Sequence, residues 1–190
     1  MMSLKNIVEK YKVKYLEESE NLRLLEAQIE EESWESLISR KNFRGHITAS
    51  AFVVDREKMK CLMIEHRNLS RFLQPWGHVD PEDISLHEAA KREAEEETGI
   101  MNMVTVFDEN KDPILINIDT HRIPQNSRKE EPAHFHHDFW YVFSAHESEL
   151  TPNTREVKSL LWVDLHDIDR VLGTDKSIAR KIMAYMEYFS

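Results

Sequence analysis

Three glutamates near the middle of the chain have the residue type and the spacing needed to hold a divalent cation. Glu93, Glu96 and Glu97 stand at positions i, i+3 and i+4, which share one face of a helix within a single turn. Carboxylates this close repel one another unless a cation lies among them. Because all of these ligands are oxygen atoms, they suit Mg²⁺ or Mn²⁺ better than zinc, which normally recruits Cys or His.

A run of glutamates on a helix most often forms a solvated face. The surrounding residues indicate whether these glutamates instead form a metal-binding site. Ser85, followed three residues later by Glu88, predicts the start of a helix, and Gly99 supplies its end. Gly77 opens a loop before this helix, and Arg92 directly precedes the first glutamate. This context favours a site.

A longer motif encloses the glutamates, since residues 77–100 read GHVDPEDISLHEAAKREAEEETGI. A Gly, five residues, an acid and then Arg-Glu-apolar-any-Glu-Glu-any-Gly-apolar make up a pattern that resembles the signature of Nudix hydrolases, enzymes that cleave a pyrophosphate linked to another group. Gly77 opens the signature, and Asp83 stands at its first acidic position. The similarity covers residues 45–172 and is sharpest over residues 73–100.

The motif departs from the family pattern at three places. Asp83 replaces the usual Glu, and eight residues rather than seven separate it from Arg92, with Ile84 as the extra residue of the loop. Trp76 stands where many relatives have a second Gly, and Ala94 is small where a larger apolar residue is common. Since the three glutamates are unaltered, we expect metal binding to be retained, whereas the loop geometry and the fit of the substrate differ.

The resemblance implies a role for each motif residue. Glu93, Glu96, Glu97 and the carbonyl of Gly77 are expected to hold Mg²⁺ or Mn²⁺. Glu93 and Glu97 are candidate catalytic residues together with Arg92, which either pairs with Glu96 four residues on or contacts a phosphate directly. A bound metal neutralises the pyrophosphate, orients it and lowers the pKa of a coordinated water.

The group that takes the proton from water is left open. Glu93 is the candidate within the motif, and Glu131 and Glu156 are candidates from later loops. Glu131 is also a candidate for contact with the substrate. His78, directly after Gly77, is the histidine expected nearest to the diphosphate.

Several of the ten histidines lie close together in the sequence. His134 and His136 fall on one face of a predicted strand, with His137 and His121 nearby. This spacing could provide a transition-metal site, but no Cys or spaced His pair accompanies it. Contact with substrate or phosphate, for which His136 is the candidate, and a hydrogen-bonded structural role are the alternatives.

Composition limits the class of protein. A chain of 190 residues with 41% hydrophobic residues can bury one sizeable core. Its net charge of −10 argues against binding to DNA but still admits a small anionic substrate, and the resemblance implies a small nucleoside diphosphate derivative as the partner. No apolar run approaches about 18 residues, and neither a membrane span nor a signal peptide is expected. Cys61 is the only cysteine, which excludes an intramolecular disulfide and fits a cytoplasmic location.

Helical periodicity in the first part of the chain gives way to strand patterns. Residues 3–42 have apolar residues at helical spacing without Gly or Pro, which predicts a helical extension over residues 1–42 that packs on its own domain or forms a homodimer contact. Residues 43–190 are predicted to form the Nudix domain, with a final amphipathic helix from Ile178 to Phe189. Strands are predicted at HITASAFVVD, KMKCLMIEHR, RFLQPWGHVD, MVTVF, PILINIDTHRI, HHDFWYVFSAH and VKSLLWVDL.

Strands with helices before, between and after them predict an α/β fold with a mixed β-sheet covered on both sides and an N-terminal helical extension. The resemblance implies that this fold is a Nudix-type α/β/α sandwich. The expected function is metal-dependent hydrolysis of a pyrophosphate bond in a nucleoside triphosphate, nucleotide sugar, ADP-ribose or dinucleoside polyphosphate. A non-catalytic Nudix module that binds nucleotide as a sensor or scaffold is the main alternative. Isopentenyl diphosphate isomerase shares the fold but uses a cysteine within a His-containing motif, which Cys61 lacks.

Overall fold

The computed structural model contains one mixed sheet with helices on both of its faces. The strands of the described residues are β1 (His46–Asp55), β2 (Lys60–His66), β3 (Arg71–Leu73), β4 (Trp76–His78), β5 (Val104–Thr105), β6 (Leu115–Ile123), β7 (His134–Ser144) and β8 (Val157–Asp164). The structure describes residues 3–67, 69, 71–127, 129–146, 150, 152–153, 155, 157–174 and 177–189.

The helices are short, and none of those in the described ranges combines the length and apolarity that crossing a membrane requires. They are α1 (Leu4–Lys14), α2 (Arg23–Glu31), α3 (Trp34–Leu37), α4 (Leu86–Thr98), α5 (Ile168–Leu172) and α6 (Ile178–Met183), with 3-10 turns at Leu16–Leu22, Leu165–Asp167 and Met186–Tyr188.

The sheet is organised around β1. This strand pairs in parallel with β7 and antiparallel with β2 and β4. β2 also pairs with β3 and β8, and β7 also pairs with β5 and β6, all antiparallel. Among the described strands, the parallel pair of β1 and β7 and the antiparallel pair of β2 and β8 join the early strands to the later ones.

The two faces of β1 pack against different helices. The strand is buried along its whole length, and its successive side chains point to opposite faces. Ile47 and Ala49 pack in a core with α4 and the N-terminal segment. Phe52 and Val54 pack in a second core with α5 and α6. The chain therefore forms three layers, with the sheet in the middle.

α4 lies close to the sheet because its inner side is lined by small residues. Ala89 and Ala94 are fully buried. The hydroxyl of Ser85 accepts a hydrogen bond from the N–H of Glu88 at 3.3 Å. Gly99 ends the helix with a φ of 72°, a left-handed conformation that glycine adopts without steric cost. Both predicted ends of this helix are observed.

The N-terminal segment packs on the face of the sheet that also carries α4. Tyr11, Leu22 and Leu25 are buried in the core shared with β1 and α4, which agrees with packing on the chain's own domain. The predicted helical region is present but interrupted, because the chain turns at Tyr15, where φ is −124°. The turn lets α1 and α2 bury apolar sides in one core, and this burial outweighs the local preference for a continuous helix. The domain boundary after residue 42 stays a prediction.

Two later elements are shorter than predicted. The predicted final helix ends at Met183, and a 3-10 turn follows. This tighter path leaves both Tyr185 and Phe189 buried in the core with α5 and α6. Within the segment MVTVF, the strand covers only Val104–Thr105, which pair with Ser144 and Phe143 of β7. α5 has no counterpart among the predicted elements.

Candidate active site

α4 approaches the sheet so closely at Gly77 that no side chain fits there. Gly77 pairs with Ala49 of β1 and faces α4. A Cβ atom at Gly77 would lie 2.0 Å from Cδ of Glu93 and 2.3 Å from each of its carboxylate oxygens. The Glu93 carboxylate therefore rests directly against the backbone of β4.

Glu97 is fixed to the residue next to Gly77. Its side chain is buried, and its Oε2 accepts a hydrogen bond from the backbone N–H of Trp76 at 3.0 Å. The backbone carbonyl of Glu97 accepts another from the N–H of Asn153 at 2.9 Å. Glu93 and Glu97, one helical turn apart, thus contact neighbouring residues of β4.

Arg92 joins the loop before α4 to the helix. Its Nε and Nη2 donate to the two carboxylate oxygens of Asp83 at 3.0 and 2.9 Å, a paired geometry that a lysine cannot reproduce. Nη1 donates to Glu93 at 3.0 Å and to Glu96 at 3.4 Å, and Nη2 also donates to the carbonyl of His78 at 2.9 Å. The predicted contact of Arg92 with Glu96 is present, but the contacts with Asp83 are shorter.

Burial and hydrogen bonding act differently on the acids of this site. Burial raises the pKa of Glu93 to about 6, although the hydrogen bond from Arg92 opposes the shift. Burial also disfavours the charged form of Asp83, but hydrogen bonds from Arg92 and from the N–H of Asp80 lower the pKa of Asp83 overall. The hydrogen bond from Arg92 therefore offsets only part of the cost of burying the charged carboxylate of Glu93, and a bound cation would stabilise the charged form.

The oxygen atoms around Gly77 form a donor set that suits a hard divalent cation. Glu93 and Glu97 contact β4, and the more exposed Glu96 lies beside them on α4. The carbonyl of Gly77 is the further ligand that the resemblance predicts. Carboxylate and carbonyl oxygens are the ligands of Mg²⁺ and Mn²⁺ in proteins. The residues present thus fit the predicted metal, and their individual roles stay predictions.

Four histidines lie together on the other face of the sheet. His46 of β1 opposes His136 of β7, and the rings of His78 and His134 are stacked on His46 at centroid distances of 5.1 and 5.0 Å. We call these four residues the histidine cluster. Burial lowers the pKa of His78 to about 3 and that of His136 to about 2, so both rings are neutral at physiological pH.

The predicted substrate-binding residues lie on the side of the histidine cluster. His78 and His136 belong to it. Burial lowers the pKa of His46, and the nearby Glu131 opposes this shift. Glu131 itself lies in a turn in which its N–H donates to the carbonyl of Asn126 at 3.1 Å. Glu156, the other loop candidate for the general base, lies outside the described residues.

His137 and His121 have surroundings of their own. His137 points to the face that carries the N-terminal segment, and its ring nitrogens lie 2.9 Å from the side-chain oxygens of Gln28 and Thr120. His121 pairs with Asp119 at 3.0 Å. The predicted histidine group is therefore divided between the two faces of the sheet.

His46 and Asp138 are two buried polar residues that were not predicted from the sequence as candidate site residues. The carboxylate of Asp138 is buried and accepts hydrogen bonds from Thr48 at 3.1 Å and from Ser50 and Trp140 at 2.6 Å each. Polar residues alternate along β1 at positions 46, 48 and 50 and along β7 at positions 134, 136 and 138. This alternation of polar residues could have indicated His46 and Asp138 from the sequence, but only with the knowledge that the two strands are neighbours.

A separate groove of about 890 Å³ lies between α1 and the segment before β6. Lys10, Tyr11, His87, Asp112 and Tyr141 are among its lining residues. The site glutamates do not line it, so this groove is distinct from the candidate active site.

Comparison with known proteins points to one family. A family model described as NUDIX domain matches residues 44–186. A protein named probable DHNTP pyrophosphohydrolase, from Lactococcus lactis subsp. cremoris (strain MG1363), is 35% identical over 103 residues, which make up 54% of this chain and 56% of that protein. The match thus spans little more than half of that relative's length.

Two solved structures share the fold. A Caenorhabditis elegans Ap4A hydrolase in a binary complex superimposes with a TM-score of 0.55 at 18% identity, covering 75% of this chain and 98% of the other. A NUDIX family hydrolase from Clostridium perfringens gives a TM-score of 0.51 at 25% identity, covering 75% of this chain and 96% of the other. These similarities confirm the predicted α/β fold class.

Proposed function

This chain belongs to the NUDIX domain family, and we propose that it is a metal-dependent pyrophosphohydrolase acting on a nucleoside diphosphate linked to another moiety. The observation that carries the proposal is the contact between Glu93 and the side-chain-free Gly77, with Glu97 bound to the adjacent Trp76. Carboxylates held together against a strand backbone repel one another. A site built at this electrostatic cost is best explained by a cation that binds there.

Each residue of the site has a part in this proposal. Glu93, Glu96, Glu97 and the carbonyl of Gly77 would hold Mg²⁺ or Mn²⁺. When bound, such an ion neutralises charge on the pyrophosphate and lowers the pKa of a coordinated water. Arg92 is already engaged by Asp83, Glu93 and Glu96. We therefore assign it the role of positioning these carboxylates.

The candidate substrates share the pyrophosphate linkage. The relative at 35% identity is named a probable DHNTP pyrophosphohydrolase, so DHNTP joins nucleoside triphosphates, nucleotide sugars, ADP-ribose and dinucleoside polyphosphates as a compound to be tested. The negative net charge of the chain is compatible with small anionic substrates whose charge a metal partly neutralises.

The alternatives receive less support. A non-catalytic nucleotide-binding module would not need the signature glutamates, which are all present, and Glu93 and Glu97 are held against β4. An isomerase that uses a cysteine would need a reactive thiol, whereas Cys61 is fully buried and burial raises the pKa of its thiol.

Turnover of this substrate panel with Mg²⁺ or Mn²⁺ tests the proposal. Glu97→Gln should lower kcat/KM by about 100-fold or more, because an amide cannot replace the charge of a metal-binding carboxylate. Glu95→Gln is the matched control, since Glu95 lies on the same helix but faces Lys91, 3.9 Å away. This variant should retain turnover close to that of the wild-type protein.

Two results would contradict the proposal. Near-full turnover by Glu97→Gln would show that Glu97 is not a metal-binding residue of the site. Tight, metal-dependent nucleotide binding without turnover of any compound by the wild-type protein would identify the chain as a sensor or scaffold.

A further inference from the structure

We propose that His46, His134 and His136 form a second metal site, which binds a transition-metal ion such as Zn²⁺. One ring nitrogen from each of the three residues lies within 4.8 Å of the others. All three side chains are buried, with 1%, 5% and 4% of each residue exposed. Imidazole nitrogen is a preferred ligand of Zn²⁺ and neighbouring transition-metal ions, whereas Mg²⁺ prefers oxygen.

Backbone carbonyls determine which nitrogen of two rings is available to a metal. Nδ1 of His46 lies 3.3 Å from the carbonyl oxygen of Asn42, and Nδ1 of His134 lies 2.8 Å from that of Pro132. Because a carbonyl oxygen only accepts hydrogen bonds, in the neutral form of each ring Nδ1 carries the proton and Nε2 carries a lone pair. Metal-bound histidines are typically oriented by such a hydrogen bond from their second nitrogen.

These lone pairs are poorly satisfied by the protein. Within the described residues, Nε2 of His46 is buried and has no hydrogen-bond partner. Nε2 of His134 faces Nε2 of His136 at 3.3 Å. If Nε2–H of His136 donates to His134 across this contact, Nδ1 of His136 becomes a buried hydrogen-bond acceptor. Nδ1 of His136 also has no hydrogen-bond partner among the described residues. A cation would satisfy the lone pairs of His46 and His134 together.

The spacing of the nitrogens suits a tetrahedral ion. Two nitrogens that each lie about 2.05 Å from a tetrahedral Zn²⁺ are about 3.3 Å apart, which is the observed separation between His134 and His136. Because the three nitrogens lie within 4.8 Å of one another, the nitrogen of His46 would have to come closer to the other two by up to about 1.5 Å to complete the set. Three histidines leave a fourth position for water or another oxygen ligand.

This site is separate from the glutamates. Along β4, Gly77 faces Glu93 while His78 faces the histidine cluster, because alternate side chains of a strand point to opposite faces. The sheet therefore lies between the two groups of ligands. One group has oxygen donors and the other nitrogen donors, so the two sites should select different metals.

Metal binding by the full-length protein tests the proposal without reference to turnover. After treatment with a chelator, the protein is titrated with Zn²⁺, and with Co²⁺ as a visible probe, in the presence of excess Mg²⁺. We expect one tightly bound ion per chain. His134→Gln and His136→Gln should each weaken its binding by more than about 100-fold, since loss of even an outer hydrogen-bond partner costs about 10–100-fold.

Two variants serve as controls for location. His121→Gln removes a neighbouring histidine whose ring lies 5.7 Å from that of His136 and which pairs with Asp119. Glu93→Gln alters the candidate active site on the other face. Both should bind Zn²⁺ like the wild-type protein.

X-ray absorption of the Zn²⁺-loaded wild-type protein keeps the test valid if a histidine variant fails to fold. Imidazole scattering with Zn–N distances of about 2.0–2.1 Å would support the site, and a shell of oxygen ligands alone would overturn it. The absence of tight Zn²⁺ binding, unchanged binding by His134→Gln and His136→Gln, or loss of binding in Glu93→Gln would also overturn it.

Discussion

The missing side chain of Gly77 is as much a part of the candidate active site as the carboxylates around it. Positive φ values among the glycines are found at Gly99 and Gly173, so backbone conformation does not explain the glycine at position 77. The reason is space, because the carboxylate of Glu93 occupies the volume that a Cβ atom would need.

Gly77→Ala should therefore displace Glu93. We expect the free energy of unfolding to fall by about 1–3 kcal/mol, as for other overpacked buried positions, and Mn²⁺ binding to weaken. Urea denaturation and calorimetric titration measure the two effects.

A double-mutant cycle identifies the source of the loss of unfolding free energy in Gly77→Ala. In a Glu93→Ala background the added methyl group meets no carboxylate, so the cost of Gly77→Ala should largely disappear. A cost that persists in full would show that Glu93 is not the group with which the methyl group collides.

The loop between β4 and α4 shows how an inserted residue is accommodated. Ile84, the extra residue of the motif, is 69% exposed, so the insertion bulges into solvent. Asp83 still reaches Arg92 with both carboxylate oxygens. The departure from the family pattern thus changes the outer surface of the loop while the connection between loop and helix is kept.

Arg92→Lys tests this connection between the loop and α4. A lysine cannot form the paired contact with Asp83 while also reaching Glu93, so the free energy of unfolding should fall by about 1–3 kcal/mol. Chemical denaturation provides the measurement.

Arg170→Lys is the matched control, because Arg170 pairs with Asp167 on the surface, where the two side chains are 76% and 48% exposed. Its cost should stay within about 0.5 kcal/mol. Equal costs for the two variants would contradict the positioning role of Arg92.

The N-terminal segment completes the core of the whole chain. Leu22 and Leu25 are fully buried together with residues of β1 and α4. Gln28 donates to the carbonyl of Gly45 at 3.0 Å and lies 2.9 Å from a ring nitrogen of His137. The segment therefore supports the same layer that presents the glutamates.

Leu25→Ala should lower the free energy of unfolding by about 2–5 kcal/mol, the range observed when a large aliphatic side chain is removed from a packed core. Leu16→Ala makes the same chemical change at a residue that is 76% exposed, and it should cost less than about 0.5 kcal/mol. Similar unfolding curves for the two variants would show that the segment does not share the core.

Local signals in the sequence were sufficient for the family, for α4 and for most strands. The Nudix resemblance of residues 77–100 is confirmed by the match to the family model, and the helix runs between the predicted Ser85 and Gly99. The strand predicted at HITASAFVVD has the bounds of β1. These features are encoded by residues close together in sequence, such as caps, alternation and motif spacing.

Contacts between residues that are distant in sequence could be identified only from the folded chain. The parallel register of β1 and β7 brings His46 to His136, the loop returns Asp83 to Arg92, and the turn at Tyr15 folds the N-terminal helices onto one core. Such contacts depend on which elements become neighbours and in what register. Because many pairings are compatible with the same local pattern, burial in the complete fold selects among them.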